Sequence, residues 1–153
     1  MSRPNSGFTI AELLVVMGIS AAIFTVGGIS WTRLQKVSQL DELSGGLKTA
    51  IYQVQAQSKN NQPAGIFFET NRYVVFKGDQ FIENKPGNLE TNLPVGITFT
   101  QINIPNGGML SFDHITGYPN SIIGGENVIL TDENSQQFRT INLNKAGLVE
   151  ISQ

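Results

Sequence analysis

Three groups of side chains in this sequence have the types and spacing for chemistry. Glu12 is the one carboxylate in the run Gly7 to Ser20, which reads GFTIAELLVVMGIS. Asp113-His114 lies just after Ser111, the residue types of an orienting acid, a base and a nucleophile. Asp132-Glu133-Asn134 offers the oxygen donors that calcium takes. The second and third groups fail on placement. Neighbours along a strand point to opposite faces, so Asp113-His114 is not a preassembled base and orienter, and His114 is the sole histidine. The acidic turn lacks the glycine and the further carboxylates of a dedicated calcium loop, so it reads as a solvated turn. No phosphate loop or zinc spacing occurs. Catalysis, metal binding and cofactor binding are therefore not expected, and Glu12 remains.

What must position Glu12 is an apolar stretch from Phe8 to Trp31. As a helix rising about 1.5 Å per residue it is about 36 Å long, enough for a hydrocarbon core of about 30 Å. A single-pass membrane helix is the expectation. The leader MSRPNSG carries only Arg3 as a basic residue, the apolar run is longer than a signal-peptide core, and Ser30-Trp31-Thr32-Arg33 is a poor cleavage site, so a removed secretory signal does not fit. A carboxylate in hydrocarbon costs roughly 2.5–3.5 kcal/mol on insertion scales, so Glu12 needs a cation that the segment itself lacks.

The run Gly7-Phe8-Thr9-Ile10-Ala11-Glu12-Leu13-Leu14-Val15-Val16 resembles the class III signal of type IV pilins and type II secretion pseudopilins. The resemblance implies that a prepilin peptidase cuts between Gly7 and Phe8 on the cytoplasmic side and methylates the new amine of Phe8. It also implies a structural filament subunit rather than an enzyme, drawn from the bacterial cytoplasmic membrane into a pilus or pseudopilus, with the N-terminus cytoplasmic and the globular part outside. Partners implied are the peptidase, other pilin or pseudopilin subunits, assembly-platform proteins and, before assembly, membrane lipid. Charge bias does not set the orientation, since Arg3 lies on one side of the run and Arg33 and Lys36 on the other.

Cleavage would place an ammonium at Phe8, a second charge beside apolar surroundings. Two fates for Glu12 follow. It can satisfy the unpaired N–H groups and positive dipole end of its own helix, or it can meet the Phe8 amine of a neighbouring subunit. In the second case, loss of the pair would leave a buried charge unmatched at about 3–5 kcal/mol. Gly18, Ser20, Ala21, Ala22, Gly27 and Gly28 suit close helix packing. Gly27-Gly28 also stands near the place where many major pilins carry a proline, and each glycine costs roughly 1 kcal/mol relative to alanine in a helix, so a local weak point is expected there.

Past Trp31 the helix is expected to continue to about residue 60 as an amphipathic segment. Leu40, Leu43, Leu47, Ile51 and Val54 recur every three or four positions, and Gly45-Gly46 interrupts them without breaking phase. Asn60-Asn61-Gln62-Pro63 ends it. From residue 61 onward, short β-rich runs alternate with turn signals. The strands expected are Gly65–Glu69, Arg72–Lys77, Gln80–Glu83, Ile97–Ile104, Met109–Asp113, Asn127–Thr131, Gln137–Leu143 and Leu148–Ile151. The fold class expected is α+β and pilin-like: a long N-terminal helix, membrane-spanning in its first half, packed through its second half on an antiparallel β-rich domain. The segments are residues 1–7 as leader, 8–31 as membrane and filament-core helix, 32–60 as amphipathic continuation and 61–153 as the globular part.

The order of the second half, from the hairpin around Phe67–Phe81 through Leu93-Pro94-Val95-Gly96-Ile97 and Leu110-Ser111-Phe112 to Ala146-Gly147-Leu148-Val149, resembles the GspH/FimT group of minor pseudopilins and minor pilins. Two departures stand out. Trp31 is the only tryptophan, so the group's Trp-rich hairpin is missing, and Asn142–Gln153 holds Lys145 as its only basic residue. With a net charge of −2 and no basic stripe, DNA is not an expected partner. The 153 residues contain no cysteine, which excludes disulfides, and only 14% are charged, so the surface is largely neutral and polar. A tethered extracytoplasmic binding module that never enters a filament is the alternative reading.

Overall fold

The computed structural model describes residues 9–120 and 124–153, with the side chains of residues 25–36 left aside. One long helix, α1 (Ile10–Lys59), precedes eight strands: β1 (Ala64–Glu69), β2 (Arg72–Lys77), β3 (Leu89–Asn92), β4 (Ile97–Asn103), β5 (Met109–Ser111), β6 (Glu126–Asp132), β7 (Phe138–Leu143) and β8 (Val149–Ser152). The class is mixed α+β. The chain divides into two compact units, one ending at Lys36 and one spanning Val37–Gln153.

The membrane-spanning part of the expected fold class is corrected. Among the described residues, no helix is long and apolar enough to cross a membrane. Within its described part, Ile10–Phe24, the expected span Phe8–Trp31 is interrupted by the carboxylate of Glu12 and by the small or polar Gly18 and Ser20, which dilute its apolar character. The leader 1–7 and Phe8 lie outside the described residues, as do the side chains of Trp31, Arg33 and Lys36. The backbone of α1 runs without interruption through Gly27-Gly28 and Gly45-Gly46.

The helix ends where expected, by a specific device. Asn61 adopts φ 57°, its N–H donates to the Ser58 carbonyl at 3.1 Å, and the Gln62 N–H donates to the Gln57 carbonyl at 3.2 Å. This pair of bonds is a Schellman termination with asparagine in the left-handed position.

In the second unit, two antiparallel four-stranded sheets form, in the orders β3-β2-β1-β5 and β4-β6-β7-β8. Leu40, Leu47, Ile51 and Val54 of α1 are buried together with Ile66 and Phe68 of one sheet and Val128, Leu130, Ile141 and Leu143 of the other. The helical stripe and the period-two strands thus share one core. Three further contacts lock helix to sheet. The Tyr52 hydroxyl accepts the Val149 N–H at 3.2 Å, the Gln55 amide donates to the Gly117 carbonyl at 2.8 Å, and Arg139 pairs with Asp41 at 2.7 Å. Gly117 and Gly147 lie so close to the helix that a Cβ would meet Lys59 or Gln55 side-chain atoms within 3 Å.

The expected strand Gln80–Glu83 is a loop, and the third strand of its sheet is β3 instead. Apolar side chains at Phe81 and Ile82 imitate a strand, but Phe81 folds back over the sheet and stacks on Phe67, ring centroids 4.2 Å apart, with Phe76 edge-on at 5.7 Å. Leu89-Glu90-Thr91-Asn92 lacks alternation because it is a mostly exposed edge, held to β2 by backbone pairing from Arg72↔Asn92 to Val75↔Leu89. Arg72 anchors this corner, its guanidinium meeting Glu69, Glu83 at 2.8 Å and Glu90 at 3.1 Å. β5 is shorter than expected, since past Ser111 the chain makes only a single bridge, Phe112↔Pro119.

Candidate assembly site

The start of α1 is organised by Thr9 and Glu12. The Thr9 carbonyl accepts the first helical bond, from the Leu13 N–H at 3.1 Å, which makes Thr9 the N-cap. The Glu12 N–H donates to Thr9 Oγ1 at 3.2 Å, while the Thr9 N–H and hydroxyl both donate to Glu12 Oε2, at 2.9 and 3.0 Å. This reciprocal arrangement is a capping box, in which otherwise unpaired helix donors are satisfied within the first turn. The carboxylate also lies at the positive end of the helix dipole. Thr9 is a partner that apolar periodicity does not reveal; its signal is the Thr-x-x-Glu spacing ahead of an apolar run.

Of the two fates open to Glu12 in the sequence, the first is the one seen in the single chain. Both bonds reach Oε2, and among the described residues none reaches Oε1, so the box occupies one carboxylate oxygen. Gly7 and Phe8, the positions of the expected cleavage, methylation and charge pair, lie outside the described residues.

Behind Glu12 the helix surface is apolar in every direction. Leu13, Leu14, Val15, Val16 and Met17 are consecutive and all exposed, and at about 3.6 residues per turn they go once around the helix. Ile10 and Phe24, near either end of this stretch, are each 80% exposed. A helix with a hydrophobic surface all round belongs in a buried setting, so this segment is built to be covered. Gly18 has nothing within 4 Å of the position of a Cβ, and Ala21 and Ala22 are exposed, so the small residues leave open surface that another helix can approach.

The other two sequence candidates are spent on their own turns. Asp113 Oδ1 accepts the Ile115 N–H at 3.0 Å, the Thr116 N–H at 2.7 Å and the Thr116 hydroxyl at 2.8 Å. These bonds, those from Thr116 above all, hold the Asp113 carboxyl below its ordinary value. Ser111 Oγ accepts the Asn120 side-chain amide at 3.2 Å, so Asp113 and Ser111 serve separate local contacts. Asp132 is fully buried and takes the Asn134 N–H at 2.9 Å and the Ser135 hydroxyl at 2.9 Å, which closes the β6–β7 turn. Glu133 turns instead to the Thr98 hydroxyl at 3.2 Å. No cluster of ligating side chains able to hold a metal ion occurs among the described residues.

The chain matches no known family model, no curated protein and no solved structure.

Proposed function

We propose that this chain is a structural subunit, of the minor class, in a type IV pilus or type II secretion pseudopilus, assembled through its N-terminal helix. The observation that carries the reading is a solvent-exposed apolar helix headed by a capped carboxylate. A surface of this kind calls for a partner of equal greasiness, and the helices of neighbouring subunits supply one along a filament. Glu12 then has two tasks. Through Oε2 it starts its own helix, and through Oε1 it receives the amine freed at Phe8 of an adjacent subunit, so that one charge pair per subunit sets the axial step. Prepilin peptidase and assembly-platform proteins are the partners this requires, and the bacterial cytoplasmic membrane is where the filament is built.

Two substitutions separate the tasks. Glu12→Gln keeps a capping side chain, since glutamine also serves in a capping box, but removes the charge. Thr9→Ala removes the cap and keeps the charge. Filaments sheared from cells are expected to lose the Glu12→Gln subunit and to retain Thr9→Ala at a reduced level, and mass spectrometry of the wild-type subunit should find a chain beginning at methylated Phe8. A chain still beginning at Met1, or unimpaired incorporation of Glu12→Gln, overturns the reading.

A further inference from the structure

The outer face of the β3-β2-β1-β5 sheet is overlaid by one segment, residues 78–88. Alternation along β2 sends Tyr73 and Val75 toward the main core and turns Arg72, Val74 and Phe76 the other way. Val74 and Phe76 are nonetheless buried, although neither belongs to the main core. The Phe81 ring lies over this face, stacked on Phe67 and edge-on to Phe76. Near either end of the segment stand Gly78 and Gly87, whose φ values of 113° and 94° only glycine adopts freely, so both suit hinges.

The segment is held lightly. From Asp79 to Asn88 no backbone hydrogen bond reaches the sheet among the described residues; the Lys85 and Asn88 N–H groups bond within the segment, to the carbonyls of Ile82 at 3.3 Å and Lys85 at 3.1 Å. A cavity of about 190 Å³ remains between segment and sheet, lined by Val74 and Phe81 together with Arg72, Glu83, Lys85 and Glu90. The closed segment therefore forgoes part of the dispersion attraction that a close-packed cover would gain. Asn88 Oδ1 is sealed from water without a donor, a cost that lifting the segment relieves. Against these terms stand the Phe81 stack, the bond from the Lys85 ammonium to the Lys77 carbonyl at 2.9 Å, and the Arg72–Glu83 pair at 2.8 Å.

Arg72 is placed so that this pair can part at little loss. Two of its carboxylate partners, Glu69 and Glu90, stand on β1 and β3 within the sheet, and only Glu83 comes from the overlying segment. When Glu83 departs, the guanidinium keeps its partners in the sheet, and Glu83, already 51% exposed, returns to water. No charge is left buried and unmatched, which is what makes a broken pair costly elsewhere. We infer that residues 78–88 form a strap, seated by Phe81 and latched by Glu83 on Arg72, that lifts while both sheets stay folded. Lifting uncovers an apolar face made of Phe67, Val74 and Phe76. A segment with few apolar contacts and no backbone bonds to its support is the kind of unit that opens below the threshold of global unfolding. The inference does not depend on filament assembly.

The sequence contains no cysteine, so one introduced thiol reports opening without interference. In the purified full chain, held in a zwitterionic detergent, Val74→Cys puts a thiol under the strap, and Val128→Cys puts one in the main core, where the native side chain is fully buried. A water-soluble thiol reagent is expected to modify position 74 about a hundredfold faster than position 128 or more, since the core position opens only by global unfolding. Adding Glu83→Gln should speed labelling at position 74 about two- to fivefold, as loss of a partly exposed ion pair implies, and leave position 128 unchanged. Equal rates at the two positions, no acceleration at position 74, or equal acceleration of both overturns the proposal. Thermal melting checks the fold of each variant. If Val74→Cys does not fold, chymotrypsin cleavage after Phe81 in the otherwise native chain decides. Cleavage tracks the open population, so Glu83→Gln should quicken it by the same about two- to fivefold, and an unchanged rate refutes the latch.

Discussion

The ion pair between α1 and β7 gives an asymmetric prediction. Arg139 Nε lies 2.7 Å from Asp41 Oδ1, with the arginine side chain 4% exposed and the aspartate 57% exposed. A second bond, from Arg139 Nη1 to the Phe138 carbonyl at 2.9 Å, satisfies part of the guanidinium. Breaking a fully buried pair costs about 3–5 kcal/mol, and breaking a fully exposed one about 0–1. Here only the cation is buried, so the cost depends on which partner is removed. Asp41→Ala leaves a desolvated guanidinium with one neutral acceptor and is expected to cost about 2 kcal/mol, between those limits. Arg139→Met removes the buried charge, keeps most of the volume beside Leu130, and leaves a carboxylate already in water, so its cost should stay under about 1 kcal/mol. Urea denaturation followed by circular dichroism measures both, provided the transition slope is unchanged so that midpoints report stability. If Arg139→Met proves the more damaging change, the burial argument fails and the arginine acts through contacts other than its charge.

Two other outcomes follow from local geometry. Gly65→Ala would place a Cβ 2.8 Å from the Leu110 carbonyl and closer still to the Phe76 ring, so overpacking should destabilise by about 1–3 kcal/mol, read from the same denaturation curve, and a neutral result would show that Phe76 moves freely. Asp113, held below its ordinary carboxyl value by the Thr116 and Ile115 bonds, contributes stability that is present above the pKa of the unfolded chain and is lost as pH falls through the folded value. Carboxyl NMR should find it titrating below an unperturbed aspartate and amide exchange at Ile115 and Thr116 rising as it protonates; Thr116→Val should bring the titration upward, and no such change would contradict the turn geometry.

Much of this architecture follows from patterns that need no third dimension. The stripe Leu40, Leu47, Ile51, Val54 at helical spacing dictates which face of α1 is buried, because the period of an α-helix brings those residues to one side whatever lies opposite. Asn61 ahead of Gln62-Pro63 stops the helix by local backbone preference, and the alternation in Asn127–Asp132 and Arg139–Leu143 sets inner and outer faces of two strands. The Thr9-x-x-Glu12 box is equally local, its members being one turn apart.

Other features were decided by tertiary structure alone. Leu89–Asn92 is a strand because β2 offers it an edge, since backbone pairing is blind to side-chain pattern, and Phe81 leaves the strand state because Phe67 and Phe76 provide a better place for its ring. Whether Asp113, His114 and Ser111 converge, which residue meets Arg139, and how Glu83 and Glu90 gather at Arg72 depend on contacts between distant parts of the chain. One-dimensional periodicity carries no such information: it fixes the direction a side chain faces, while only folding decides what stands in front of it.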